Sequence, residues 1–316
     1  MLVLGASTQS ILSIILFASS ALPILIAGLG WGNRAAIIAI VTSAVLGSIM
    51  VSPMFALAIG AFTLVPAGWL SHLANLARPA SELGGPDNLM AWYPISDILM
   101  HLCGLITIAL IILGVMIGYG PDLTNSFVDA MGESLKAPGS EFASDPQALA
   151  QMQESLTLMK PLLVVMLPMG QGAAWVTMLF AAFYFAVRIV SRSGRALRPR
   201  EDMPSALRMN RHAIFIFLAG ILMMFAGGVP AMIGATICGT FGAGFLLAGF
   251  ASLHFRTLGK DWRVPVLTLC YMSTIFTLPA IGIMILGLFD TRRTIALTPV
   301  KAADGKKTNT DINEQN

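Results

Sequence analysis

From His212 to Phe255 the chain carries no Asp, Glu, Lys or Arg, and from Trp31 to Trp69 it carries one, Arg34. No other feature restricts its fold so strongly. A surface facing water needs charge, whereas an unpaired charge at the centre of a bilayer costs about 3 kcal/mol or more. Composition extends the argument: of 316 residues, 56% are hydrophobic and 11% charged, against about 25% charged in a soluble domain. Disorder, collagen, a coiled coil and a secreted disulfide scaffold are excluded for most of the chain. What remains is an all-α polytopic transmembrane helical bundle.

A bilayer core about 30 Å thick takes about 20 helical residues. The apolar runs give about eight membrane segments, some broken at Pro or Gly. A helix over 3–18 stops at Pro23, and a short segment follows over 22–32. Further runs cover 35–50, 55–76, 95–118, 161–190, 212–227, 230–250 and 264–289. No side chain before Arg34 is charged, so the apolar start lacks the basic region of a signal peptide. The transmembrane domain is expected over 1–290. The polar tail 291–316 is expected to be disordered, since Lys301–Asn316 holds one large apolar residue, Ile312.

Charge gives orientation. Asp122–Lys160 carries Asp122, Asp129, Glu133, Glu141, Asp145 and Glu154 against Lys136 and Lys160. Ser144-Asp145-Pro146 reads as a helix start, after which Leu149, Met152, Leu156 and Met159 share one face. Ser191–Arg211 carries Arg192, Arg195, Arg198, Arg200, Arg208 and Arg211 against Glu201 and Asp202. The positive-inside rule makes 191–211 a cytoplasmic loop and 122–160 an extracytoplasmic amphipathic insertion. The same clustering beside helix ends argues against nucleic acid as a partner, although the net charge is +3. The expected location is the cytoplasmic (inner) membrane of a bacterium. The last apolar block, which contains Pro279, is either one crossing or a hairpin broken by that proline.

Several constellations carry chemistry. Ala231, Ala235, Gly239 and Ala243 recur every fourth position and form a small-residue face. Such a face serves tight packing inside the bundle or a seam with a partner or second copy. Leu167–Gly172 holds Pro168, Gly170 and Gly172 inside a long apolar run, with Gln171 in its middle. Unwound backbone at membrane depth is tolerated where it lines a cavity, and half-helix ends can hold a polar ligand. A plain proline kink is the alternative. The ligand site this suggests joins Gly170, Gln171 and Gly172 to the segment 23–34, with Trp31 or Trp175 as an apolar wall. Arg34 faces that cavity or snorkels to headgroups. Asp97 and His101 lie one turn apart and can form a polar or proton-carrying pair. Asp97 alone can instead serve as an N-terminal helix residue favoured by the dipole. Cys103, Cys238 and Cys270 lie in apolar runs without metal-ligand spacing. No cofactor or metal motif and no catalytic constellation is present, so an enzyme is not expected.

Three stretches carry a family resemblance. These are Leu22-Pro23 with Gly28–Arg34, Phe183–Arg192 running into the basic loop, and Leu286–Asp290 followed by Arg292. In that order they resemble the YybS-like family of multi-pass bacterial membrane proteins. That family is distantly similar to the substrate-binding subunits of energy-coupling-factor vitamin transporters, whose short second helix and Gly-rich third helix help build a ligand cavity. Leu22–Met50 has that look. The resemblance implies a small-molecule-binding, transporter-like membrane subunit without its own ATPase. The rival readings are a non-catalytic scaffold acting through helix contacts and a lipid-handling protein. The partners expected are the bilayer, an unidentified small molecule, and a membrane protein or second copy.

Overall fold

The computed structural model describes residues 19–118, 146–274 and 276–299, together with Asn125, Val128, Asp129, Gly132, Glu133, Leu135 and Lys136. The expected helix over 3–18, most of the acidic stretch 122–145 and the tail beyond 299 lie outside the described residues.

Nine helices of seven residues or more carry the described part of the fold. Helix α1 (Leu22–Trp31) starts with Pro23 in its first turn, where a missing N–H is no loss. It turns into α2 (Asn33–Met50) at Gly32, whose φ of 83° suits glycine. Helix α3 (Pro53–Ala74) is capped by Ser52, whose side chain accepts from the Phe55 N–H at 3.1 Å. A π-helical turn, Gly60–Leu64, interrupts α3. Then follow α4 (Ile95–Ile117), α5 (Pro146–Arg192), α6 (His212–Met224), α7 (Gly228–Arg256), α8 (Arg263–Ser273) and α9 (Thr277–Phe289). Among the described residues five helices are long and apolar enough to cross a membrane, or six if the bent pair α8–α9 is one span. The shorter α1 and α6 are apolar without reaching full length.

The helical bundle expected from the sequence is present, and three details differ. First, Pro168 does not break its segment: α5 continues through Pro161 and Pro168 for 47 residues. A proline removes one hydrogen bond and strains one turn, and in a membrane helix packed neighbours absorb that defect. At 1.5 Å per residue α5 is about 70 Å long, more than twice the bilayer core. Its amphipathic first turns therefore stand clear of the bilayer. Second, a small sheet accompanies the helices. Strands β1 (Ala77–Pro79), β2 (Leu89–Trp92) and β3 (Leu297–Pro299) form a small antiparallel sheet in that order. Third, the tail does not leave the body at residue 291. Residues up to 299 are bound to it through β3, and the Trp92 indole donates to Thr298 Oγ1 at 2.9 Å.

The centre of the bundle is α7, with 78% of its apolar window buried, against 6% for α2. Helix α7 touches α4, α5, α6 and α9. Glycine makes each approach possible. A Cβ at Gly234 would lie 2.5 Å from the Gly220 carbonyl oxygen of α6, and one at Gly239 would lie 2.0 Å from that of Met169 on α5. One at Gly244 would meet Cys103 Sγ of α4 at 2.9 Å, and one at Gly249 the Ile283 carbonyl oxygen of α9 at 2.0 Å. These glycines are five residues apart, so each is turned about 140° from the one before. Four neighbours are thereby received on four sides. A buried Thr107–Thr240 hydrogen bond of 2.6 Å ties α4 to α7, the kind of polar link that substitutes for hydrophobic drive in lipid.

Candidate functional site

One end of the bundle collects the basic segments. Asn33 Nδ2 lies 2.7 Å from His72 Nδ1, and Asn75 donates to the Gly28 carbonyl at 2.8 Å, which joins α1, α2 and α3. Arg198 donates to the carbonyls of Tyr93 at 2.7 Å and Ala74 at 3.3 Å, and pairs with Glu201. Asn210 donates to Asp97 Oδ1 at 2.6 Å, and Arg293 donates to Asp97 Oδ2 at 2.8 Å. Arg208 pairs with Asp290 at 2.7 Å, and Thr294 donates to the Ala206 carbonyl at 3.1 Å. The chain beyond α9 is thus clasped to the same end as the loop 191–211. Helices α8 and α9 are inclined at 118°. The bend and the return of α9 to this end fit the hairpin reading, while the pair taken together is also long and apolar enough for one span.

Asp97 and His101 do not form a pair. The carboxylate is engaged by Asn210 and Arg293, while His101 Nε2 lies 3.0 Å from the Tyr93 hydroxyl. Asp97 stands in the first turn of α4, where the helix dipole favours it. Burial, reinforced by the neighbouring Asp97 charge, raises the Tyr93 phenol above its ordinary value and keeps it protonated.

The concave site lies deeper. Helices α5 and α7 cross where Met169 and Gly172 meet Gly239 and Thr240. On the basic-end side of this crossing they border a cleft of about 1160 Å³, closed by α9 and by Ser19 and Leu22. This exceeds the usual ligand-pocket range of about 300–1,000 Å³. The space exists because the facing side chains are small: Gly170, Ala174, Thr177 and Ala181 on α5, Gly242 and Ala243 on α7. Its polar side chains, from Ser19, Thr177, Thr274, Thr277 and Cys238, offer hydroxyls and one thiol, and no charged side chain lines it among the described residues. Phe185 and Met166 on its rim are exposed, so the cleft opens sideways, toward lipid. Such a surface accepts an apolar body that offers few hydrogen-bonding groups.

The expected ligand residues separate. Gly170 lines the cleft, whereas Gly172 is spent on the helix crossing and Gln171 is exposed outside the lining. No half-helix ends exist there because α5 is continuous. Trp175 stacks on Phe62 of the π-helical turn, with centroids 5.5 Å apart. Trp31 lies at the basic end beneath the Arg195 guanidinium, 4.9 Å from its ring centre. Arg34 is exposed. Ala231, Ala235, Gly239 and Ala243 are buried inside the bundle. Gly239 and Ala243 also form part of the cleft wall. Among the described residues no group of three or more His, Cys, Asp or Glu side chains could hold a metal ion. The residues that sequence reasoning missed are Ala174, Thr177 and Ala181. Their signal was present as small residues at spacings of three and four, the helical period.

The family model described as predicted membrane protein (DUF2232) matches residues 1–291. No curated protein and no solved structure matches the chain significantly. The several apolar helices and this match over most of the length agree: the chain belongs to the DUF2232 family of predicted multi-pass membrane proteins.

Proposed function

We propose that this chain is a non-catalytic protein of the bacterial cytoplasmic membrane that holds a hydrophobic small molecule, or the apolar chain of a lipid, in the cleft between α5, α7 and α9. The carrying observation is that cleft: large, uncharged, bordered by small side chains and open toward the bilayer. The basic end faces the cytoplasm, as arginine excess in short loops directs. The similarity to substrate-binding subunits of energy-coupling-factor transporters supports a transporter-like role, with energy supplied by other chains. The YybS-like resemblance fits the same reading. A scaffold role is favoured by α2, whose Ile38, Val41, Val45 and Ile49 are exposed and would suit a partner helix.

The test is a cleft-filling substitution. Ala174→Phe puts an aromatic ring into the lining from an exposed position that the fold tolerates. A pyrene-labelled fatty acid should bind the purified full chain and should bind the variant about tenfold less tightly, the effect of losing roughly 1.4 kcal/mol. Equal binding by both would remove the cleft from consideration.

A further inference from the structure

Where α7 ends and the clasp begins, positive charge exceeds what the neighbouring carboxylate neutralises. Arg208 is fully buried. Its Nε lies 2.7 Å from Asp290 Oδ2, and its Nη1 donates to the carbonyls of Pro204 and Leu207 at 2.8 and 2.7 Å. Its Nη2 is shielded from water and has no hydrogen-bond partner among the described residues. Arg292 stands 3.9 Å from the same carboxylate. Both guanidinium carbons lie 5.8 Å from the centre of the Phe255 ring, so the two cations converge on one aromatic. Arg256, the next residue, donates to Ser252 Oγ at 3.2 Å. One carboxylate, Asp290, thus stands among three guanidiniums.

Burial lowers Arg208 from the usual arginine range; Asp290 opposes this, while Arg292 and Arg256 add to it. Arginine nevertheless stays charged in proteins. A buried donor left unpaired is costly, and a buried cation whose neighbours are also cations is costlier. A tetrahedral anion relieves both penalties. Arginine forks match phosphate oxygens better than any other side chain.

We propose that Arg208 and Arg292, which converge on Phe255, and the adjacent Arg256 bind a phosphate-bearing anion at the basic end of the bundle. Arg256 and Arg292 are exposed and open to it, with Arg208 buried beneath. The site sits at the end of the apolar helices α7 and α9, and it does not depend on what the cleft holds. The anion is either the headgroup of an anionic phospholipid or a soluble phosphorylated molecule.

The experiment compares the full chain with the double variant R256Q/R292Q, which leaves buried Arg208 in place, and with R34Q as a control at the same end. Native mass spectrometry reads retention of phosphatidylglycerol against phosphatidylcholine, and thermal unfolding reads stabilisation by inorganic phosphate. Preferential phosphatidylglycerol binding that falls about thirtyfold in the double variant only, as two lost arginine contacts imply, supports the site and assigns it to headgroups. Stabilisation of the wild type and R34Q by phosphate, absent in the double variant and without lipid preference, supports it and assigns a soluble ligand. Unchanged lipid preference and unchanged phosphate response in the double variant would overturn it.

Discussion

Gly239→Ala tests the central packing argument with one methyl group. The new Cβ would stand 2.0 Å from the Met169 carbonyl oxygen and 2.8 Å from the Met169 Cα. A carbon–oxygen contact normally settles near 3.3–3.6 Å, so α5 must retreat by about 1.4 Å. The offending atoms are backbone, which cannot swing aside as a side-chain tip can. Retreat also loosens Gly172 from Thr240 on the same crossing. Overpacking of this kind costs about 1–3 kcal/mol. Against it stands the better helix propensity of alanine, worth about 1 kcal/mol. Because the clash is with backbone, the upper end of that range applies and the net loss is about 2 kcal/mol; at about 2–4 °C per kcal/mol the Tm falls by about 4–8 °C. Tryptophan fluorescence of the detergent-solubilised full chain during heating measures this. Gly170→Ala is the control: it lies beside the same crossing, its Cβ meets nothing within 4 Å, and it should hold or raise the Tm. A Gly239→Ala protein as stable as wild type would refute the close approach, as would an equal loss in Gly170→Ala.

Two further outcomes follow from the clasp. In a background without Cys103, Cys238 and Cys270, Ser193→Cys and Ile295→Cys should label from one side of the membrane and Ser155→Cys from the other; labelling of Ile295→Cys together with Ser155→Cys would exclude the α8–α9 hairpin. Burial works to raise the Asp290 carboxyl, but the Ser252 hydrogen bond and the charges of Arg208 and Arg292 outweigh it and hold the group below its usual value of 3.8. Its folded value is the lower one, so its stabilisation is fully present above about pH 4 and is lost as pH falls through the folded value. Asp290→Asn should therefore lower the Tm at neutral pH and flatten the acid limb of the Tm profile; an acid limb identical to wild type would show that Asp290 contributes nothing to it.

The sequence displayed some of this openly and hid the rest for identifiable reasons. The charge-free run His212–Phe255 does supply α6 and α7, because desolvation cost depends on composition alone. The fate of Pro168 was not legible. Whether a proline breaks or only strains a helix depends on what packs beside it, here α7 at Gly239, and that contact joins residues 70 apart in the chain. The recurrence of Gly234, Gly239, Gly244 and Gly249 was in plain view. A search for single faces at spacing four passed over it, since a spacing of five spreads glycines around a helix. The clasp was the least visible part. Nothing near Asp290 and Arg293 in the sequence signals their partners, Arg208 of the loop 191–211 and Asp97 of the first turn of α4. At the cleft, Gly170 lies in the lining and Gln171 outside it, because α5 runs on through Pro168 without the unwinding that would have turned Gln171 inward.

The small sheet at the basic end has a bearing on how the chain is made. Trp92 and its partner Thr298 are 206 residues apart in sequence. At about 5–20 residues per second, β2 waits roughly 10–40 s after its synthesis before β3 emerges. Throughout that interval one edge of β2 lacks its strand partner, the state in which sheets recruit foreign strands. Its other edge is already held by β1, and the stretch 80–88 between them is polar and exposed at Ser81, Glu82, Asp87 and Asn88. Polar, exposed residues there give a half-built hairpin a water-compatible turn during the interval before the last segment arrives to complete the sheet.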